Sequence, residues 1–293
     1  NYYVAQALGL DPSGRLLSKE IFGNSVFYLD TNILFHALEP KARHHGSFKA
    51  LSNACNQLQM ELKVCQISLS EFQDVVKHYR EIIRKVAAQI PEKTAPKIRG
   101  MFYRLYCEQL QSTGTADLDK IFDIFDNPVD DLSKLYNVAR IHDGWFMEAE
   151  IQPETASFAE AIRQAYKKKR GRLKNKRSAL HDALLLRWIP VEQGRTGKNT
   201  WLITLDTSLP GFVPEGENMP TRSLSITLDA LLQWISPIAI HGDIEDEVAE
   251  IFAEAVKYQL LPQESFFELR DFLIFAEMEW SCKELPAEDV EEC

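Results

Sequence analysis

The stretch Val26–Asn32, VFYLDTN, decides how the rest of the chain is read. Val26, Phe27, Tyr28 and Leu29 form an unbroken apolar run, the pattern of a strand buried on both faces in a parallel sheet covered by helices. The run ends in a carboxylate, Asp30, followed by Thr31 and Asn32. Ligand sites of open α/β sheets lie beyond the carboxyl ends of the strands. Asp30 therefore stands where chemistry is expected, and the question is which distant residues join it.

Two further apolar runs predict strands of the same kind. Lys63–Ser68, KVCQIS, predicts the second strand, and Thr200–Leu205, TWLITL, predicts a third that ends at Asp206; residues 222–226 predict a fourth before a helix near Thr227. Ser68 and Glu71 make the S-x-x-E capping-box pattern, and Phe72, Val75, Val76, Tyr79, Ile82, Ile83 and Val86 then recur at helical spacing. This predicts an amphipathic helix with Glu71 in its first turn, on the same rim as Asp30. The segment SALHDALLLRWI (residues 178–189) predicts another helix, with Asp182 near its start. Helices are also expected from Ile33 until Pro40 interrupts, over about 46–60, over 97–111 and over 117–150, with Pro128 opening or interrupting an element. Pro91 and Pro96 bound a break. The stretch of about 90–165 is long for a crossover and reads as a helical insert, a lid or specificity element. Pro237 is expected to close the α/β part, residues 1–22 with the turn signal DPSG form an opening segment, and 243–281 read as helices.

The 293 residues are enough to bury roughly 75% of the unfolded surface in one or two domains. An apolar content of 45% with 26% charged residues places the chain among soluble globular proteins. No run is long enough for a membrane span and no signal peptide leads the chain, so no membrane partner is expected. The first residue is Asn rather than Met, as in a processed or excised piece. Cys55, Cys65, Cys107, Cys282 and Cys293 have no CxxC pair or ordered spacing, which argues against a disulfide framework or zinc site and for a reducing, cytoplasmic setting. The net charge of −10 would disfavour a nucleic-acid partner if it were uniform, but residues 242–293 carry 16 acids against 3 bases, leaving the remainder at +3. The organisation expected is an α/β domain over residues 1–240 and an acidic helical extension over 241–293, the latter a docking segment for a partner or another part of a longer protein, or a mimic of nucleic acid.

Four carboxylates, Asp30, Glu71, Asp182 and Asp206, meet at one edge if the strands are neighbours. Like charges a few ångströms apart raise one another's pKa, and a divalent cation relieves this. Mg²⁺ or Mn²⁺ takes such oxygen ligands, keeps several waters and accepts substrate phosphate oxygens. The chemistry implied is metal-dependent phosphodiester hydrolysis.

The order LDTN, a Glu opening a helix, HDALL, and a strand ending T-x-D is similar to the PIN-domain nucleases, over roughly residues 25–236. The resemblance implies a three-layer PIN-like fold around a central parallel sheet. It implies a Mg²⁺- or Mn²⁺-dependent nuclease acting on RNA ahead of DNA, with Asp30, Glu71, Asp182 and Asp206 as the catalytic metal-binding set. Thr31, Asn32 and Thr204 would support it by orienting water or a carboxylate. Ser208 stands where the family is often acidic, Leu209 where an aromatic commonly follows, and the interval from Glu71 to Asp182 exceeds that of the small toxin members. These departures leave the toxin-type assignment and a second metal ion open.

Each acid also has an ordinary structural explanation: Asp30 as a turn residue or cap, Glu71 as a capping-box residue, Asp182 as a helix-dipole acid. Asp74 is an alternative ligand to Glu71, more simply a solvated residue. His44, His45, His78 and His142 lack ligand spacing, and GRTGK (194–198) is too short for a P-loop and reads as a loop. The run 167–177, KKKRGRLKNKR, holds eight bases in eleven positions, namely Lys167, Lys168, Lys169, Arg170, Arg172, Lys174, Lys176 and Arg177. It is expected to contact nucleic-acid phosphates without reading sequence; the alternative is a solvated loop. Two other functions stay open: a non-catalytic PIN-like binding scaffold, and a small-molecule phosphatase, which Asn32 disfavours because an acid is expected there.

Overall fold

The apolar run after Asn24 folds as β1 (Ser25–Leu29), buried along its whole length. The computed structural model describes residues 24–86, 98–212, 223–239 and 267–268. In chain order β1 is followed by α1 (Thr31–Leu38), α2 (His45–Leu58), β2 (Glu61–Cys65), α3 (Gln66–Val86), β3 (Ile98–Arg99), α4 (Met101–Thr113) and α5 (Leu118–Phe122). Then come α6 (Pro128–Tyr136), β4 (Ala139–Ile141), α7 (Trp145–Glu150), α8 (Pro153–Arg170), α9 (Lys176–Thr196), β5 (Asn199–Thr204), β6 (Ser225–Thr227), α10 (Leu228–Ala239) and β7 (Phe267–Glu268).

Five strands form the central sheet in the order β4-β2-β1-β5-β6, and every pairing is parallel. Val26 lies opposite Glu61 on one side and Thr200 on the other, and Leu29 opposite Ile203. Parallel neighbours need crossovers, which accounts for the helices between strands. From β1 the chain moves outward through β2 and β4, then returns to the other side of β1 for β5 and β6. The crevice beyond the carboxyl ends of β1 and β5 is thus the topological switch point, where open α/β sheets bind ligands.

The architecture is α/β with helices layered on this sheet. Val26 and Tyr28 bury into a cluster with Phe146, Ala183, Trp188 and Leu202, which joins α7 and α9 to the sheet. Phe27 and Leu29 are also buried, and strand alternation turns them to the opposite face. There α2 packs on β2, on α1 and on α10. Burying each such side chain contributes about 1.5–3 kcal/mol, so one strand anchors both layers.

The described residues fall into two compact units, one drawn from Asn1–Phe72 and Pro128–Leu260, the other from Gln73–Asn127 and Leu261–Cys293. The first holds the central sheet. The second holds an aromatic stack in which Tyr79 lies 4.6 Å from Phe102 and Phe102 lies 5.3 Å from Phe122, ring centre to ring centre, with the Arg80 guanidinium over Phe122.

Several local expectations are corrected. The second strand ends at Cys65, and α3 begins at once at Gln66, so Ser68 is inside the helix and is not its cap. The reason is burial: Ser68, Leu69, Phe72 and Val76 are all buried at helical spacing, which overrides the strand-like look of Gln66–Ser68. Residues 139–141, expected within a helix, form an edge strand paired with β2. Three residues between flanking helices carry too short a period to be seen in the sequence. α10 runs past Pro237 to Ala239. Phe267–Glu268, expected to be helical, pairs as β7 with β3. The opening segment, the Pro91–Pro96 break and the rest of the acidic extension lie outside the described residues. No helix among the described residues is long and apolar enough to cross a membrane.

Candidate metal centre

Asp30 follows β1 directly, and its own N–H still bonds to the Ile203 carbonyl of β5 at 3.0 Å, so the sheet fixes its backbone. It is also the N-cap of α1, with Oδ1 accepting from the Thr31 N–H at 2.7 Å. Its Oδ2 accepts from Asn32 Nδ2 at 2.8 Å and from the Thr204 hydroxyl at 2.5 Å. An ionised carboxylate has about four acceptor positions, so three donors leave one, on the Oδ1 side. Thr204 is a hub: besides donating to Asp30, its oxygen accepts from Asn32 Nδ2 at 3.1 Å and from the Asp206 N–H at 2.9 Å. Asn32 Oδ1 in turn accepts from the Leu205 N–H at 2.9 Å, tying the start of α1 to the end of β5.

Glu71 is on α3 but not in its first turn, because that helix starts at Gln66. The capping-box role therefore fails. Instead its Oε2 accepts from the Thr31 hydroxyl at 2.5 Å and lies 3.2 Å from His181 Nδ1. His181 is 9% exposed at its side chain, and its Nε2 is buried with no hydrogen-bond partner among the described residues. Asp30, Glu71 and His181 each offer a ligand atom, all within 4.8 Å of one another.

Asp182 is on α9, which begins at Lys176 behind the N-cap Asn175. That places it beyond the first turn, so the helix-dipole explanation does not hold. It does not stand with Asp30 and Glu71 in the three-residue group. Lys174 Nζ lies between it and Asp206, 2.6 Å from Asp182 Oδ2 and 2.7 Å from Asp206 Oδ2. The two carboxylates respond differently to the shared lysine. Burial pushes Asp182 up to about 6; Lys174 pulls it down and Asp30 adds to the rise. Burial acts in the same sense on Asp206, but Lys174 and the Ser208 hydrogen bonds win and hold it below the usual carboxylate range. The difference follows exposure, 6% for Asp182 and 16% for Asp206. Burial works against the charge on Lys174, yet Asp182 and Asp206 together hold its pKa above the ordinary lysine value.

The basic run divides. Lys174 points into the centre, not to solvent. Lys167, Lys168, Lys169, Arg170, Arg172, Lys176 and Arg177 are exposed at the end of α8 and the start of α9. Lys169 Nζ donates to the Ser208 carbonyl at 2.8 Å and to the Pro210 carbonyl at 3.2 Å, and Arg170 donates to Thr207. These two hold the turn that carries Asp206. Leu209 is buried in the core cluster, and the Ser208 N–H donates to Asp206 Oδ1 at 2.7 Å. Asp74 is exposed, and the loop expected at GRTGK is corrected: Gly194, Arg195 and Thr196 are the last residues of α9, Gly197 caps it, and Lys198 leads into β5.

Sequence reasoning missed two residues of the centre. His181 carried a signal, since it directly precedes Asp182. Lys174 carried none, being one base among eight.

The donor set suits a divalent cation: two carboxylates are hard oxygen ligands, and an imidazole shifts preference from Mg²⁺ toward Mn²⁺ and its later neighbours. Asp30 keeps one acceptor position, and the buried His181 ring keeps one nitrogen without a partner among the described residues. Compared with models of known families, with curated proteins and with solved structures, the chain has no significant match.

Proposed function

We propose that this chain is a PIN-like, metal-dependent phosphodiesterase, a nuclease that cuts RNA ahead of DNA. The observation that supports it most is the convergence of Asp30, Glu71 and His181 within 4.8 Å, with Asp30 directly after β1 at the switch point and Glu71 on the helix that follows the neighbouring β2. A bound Mn²⁺ or Mg²⁺ would polarise a phosphodiester and lower the pKa of a coordinated water. The chain's own residues supply the rest. Thr31, Asn32 and Thr204 fix the orientation of Asp30 and Glu71 by direct hydrogen bonds. The exposed bases beside the centre give a polyanion a place to lie.

The test is cleavage of labelled single-stranded RNA and DNA in Mn²⁺, Mg²⁺ or EDTA, by the unaltered chain, Asp30→Asn and Glu71→Gln. Metal-dependent cutting that both substitutions abolish is the expected result. One observation favours a second reading, a binding module that does not cut: Lys174 compensates Asp182 and Asp206 without any metal. RNA binding with no cleavage under any metal would decide for it.

A further inference from the structure

We propose that Lys174 stands in for a second metal ion: its ammonium fills the position between Asp182 and Asp206, so the centre takes one divalent ion, on Asp30, Glu71 and His181. This rests on the metal-dependent reading above and decides its stoichiometry.

A Mg²⁺-sized ion binds carboxylate oxygens at about 2.0–2.1 Å. Nζ already lies 2.6 Å from Asp182 Oδ2 and 2.7 Å from Asp206 Oδ2, so an ion shared by those oxygens would need the ammonium's own place. The lysine is also firmly held. Gly171 caps the end of α8 at φ 77°, and Asn175 caps the start of α9 by accepting from the Arg177 N–H, so only three residues lie between the two caps. The Lys174 carbonyl accepts from Arg163 Nε at 2.8 Å, which fixes the backbone from α8. Its Nζ lies 5.5 Å from the centre of the Tyr166 ring, a favourable seat for a cation. A side chain pinned at its backbone and 14% exposed has little freedom to swing out when an ion arrives. The turn bearing Asp206 is likewise tied to α8 through Lys169 and Arg170, so the two carboxylates stay at the spacing that suits the ammonium.

The measurement is the number of Mn²⁺ ions bound per full-length chain, by calorimetry and by EPR of free Mn²⁺, for the unaltered chain, Lys174→Met and Lys174→Gln. Methionine matches most of the stem in length, glutamine keeps its first two methylenes, and neither carries the charge. The expected counts are one ion for the unaltered chain and two for the variants, with Mn²⁺ raising the melting temperature of the variants more. Two ions in the unaltered chain overturn the proposal, because the lysine is then displaced. One ion in all three chains overturns it too, since the lysine then blocks nothing. No ion in the unaltered chain would sink the metal-dependent function itself, a result distinct from either. Should both variants fail to fold, a second ion on the unaltered chain still overturns the proposal.

Discussion

Replacing Thr204 with Val keeps the shape of a fully buried side chain and removes its hydroxyl, the group on which the centre's hydrogen bonds converge. Three bonds are lost: the one donated to Asp30 at 2.5 Å, and those accepted from Asn32 at 3.1 Å and from the Asp206 N–H at 2.9 Å. A bond to a charged group contributes about 1.5–3 kcal/mol, and a polar group left unpaired costs about 1–3 kcal/mol when buried. Asn32 keeps its bond to Asp30 and Asp206 is partly exposed, so roughly 3 kcal/mol is expected in total. At about 2–4 °C per kcal/mol for a unit of this size, the melting temperature should fall by roughly 6–12 °C. Thr200→Val is the control. It is equally buried and in the same strand, but its hydroxyl makes one bond, to the Lys198 carbonyl at 3.1 Å, so about 1 kcal/mol is expected. Thermal unfolding followed by circular dichroism in EDTA reads the difference. Mn²⁺ titration reads a second consequence: Asp30, freed on one side, should bind the ion roughly 10–100-fold more weakly in Thr204→Val alone, as is typical for lost outer partners of a ligand. If the two variants melt together and bind Mn²⁺ alike, the hub assigned to Thr204 does not exist.

Three other outcomes follow from the same geometry. The Asp182 carboxyl, raised to about 6, binds its proton more tightly folded than unfolded. Its contribution to stability is therefore fully present below the unfolded value near 4 and lost as pH rises through about 6. In metal-free urea titrations Asp182→Asn should gain on the unaltered chain between pH 4 and 7, and a difference flat with pH would refute the assignment. His181→Asn should narrow the preference for Mn²⁺ over Mg²⁺ by removing the nitrogen donor, which competitive calorimetry measures; an unchanged ratio would place the ring outside the ligand set. Lys167, Lys168 and Arg172 changed together to Ala should weaken single-stranded RNA binding and flatten its salt slope by about 2, at about 0.7 per phosphate contact. Lys169 and Arg170 are left in place because they hold the Asp206 turn, and an unchanged slope would show that the exposed bases do not touch phosphate.

The legible part of this chain was what repeats or runs. An unbroken apolar strand announces burial on both faces, which is why β1 and β5 are legible, whereas Glu61 and Lys63 interrupt β2 and its bounds are read less well. β4 is not legible, because three residues with no alternation carry no period, and its place in the sheet is set by pairing with β2. The start of α3 was misread for a related reason: S-x-x-E is a local signal, and burial of Ser68 and Leu69 against the rest of the unit decided where the helix begins. At the centre, Asp30 and Asp206 can be picked out because each follows a strand, and Glu71 because its helix does, whereas Asp182, on a helix that follows another helix, stands out only through HDALL. Their partners are harder, since a hydroxyl such as Thr204 gains its meaning from Asp30 and Asn32, which are 174 and 172 residues away.

Lys174 alters the electrostatic argument as well as the map. Four carboxylates at one edge seemed to require a divalent ion, because nothing else in the sequence could be assigned to balance them. Folded, two of them share a lysine, and a third, Asp30, accepts three hydrogen bonds. Cluster charge alone therefore no longer argues for a metal. What still does is narrower: two carboxylates and an imidazole brought within 4.8 Å, with one acceptor position left on Asp30. That group includes His181, which the charge argument never used, and it omits Asp182 and Asp206, on which that argument leaned. The case for an ion thus moves from a quartet to a trio, and the trio is where a substitution should first abolish metal binding.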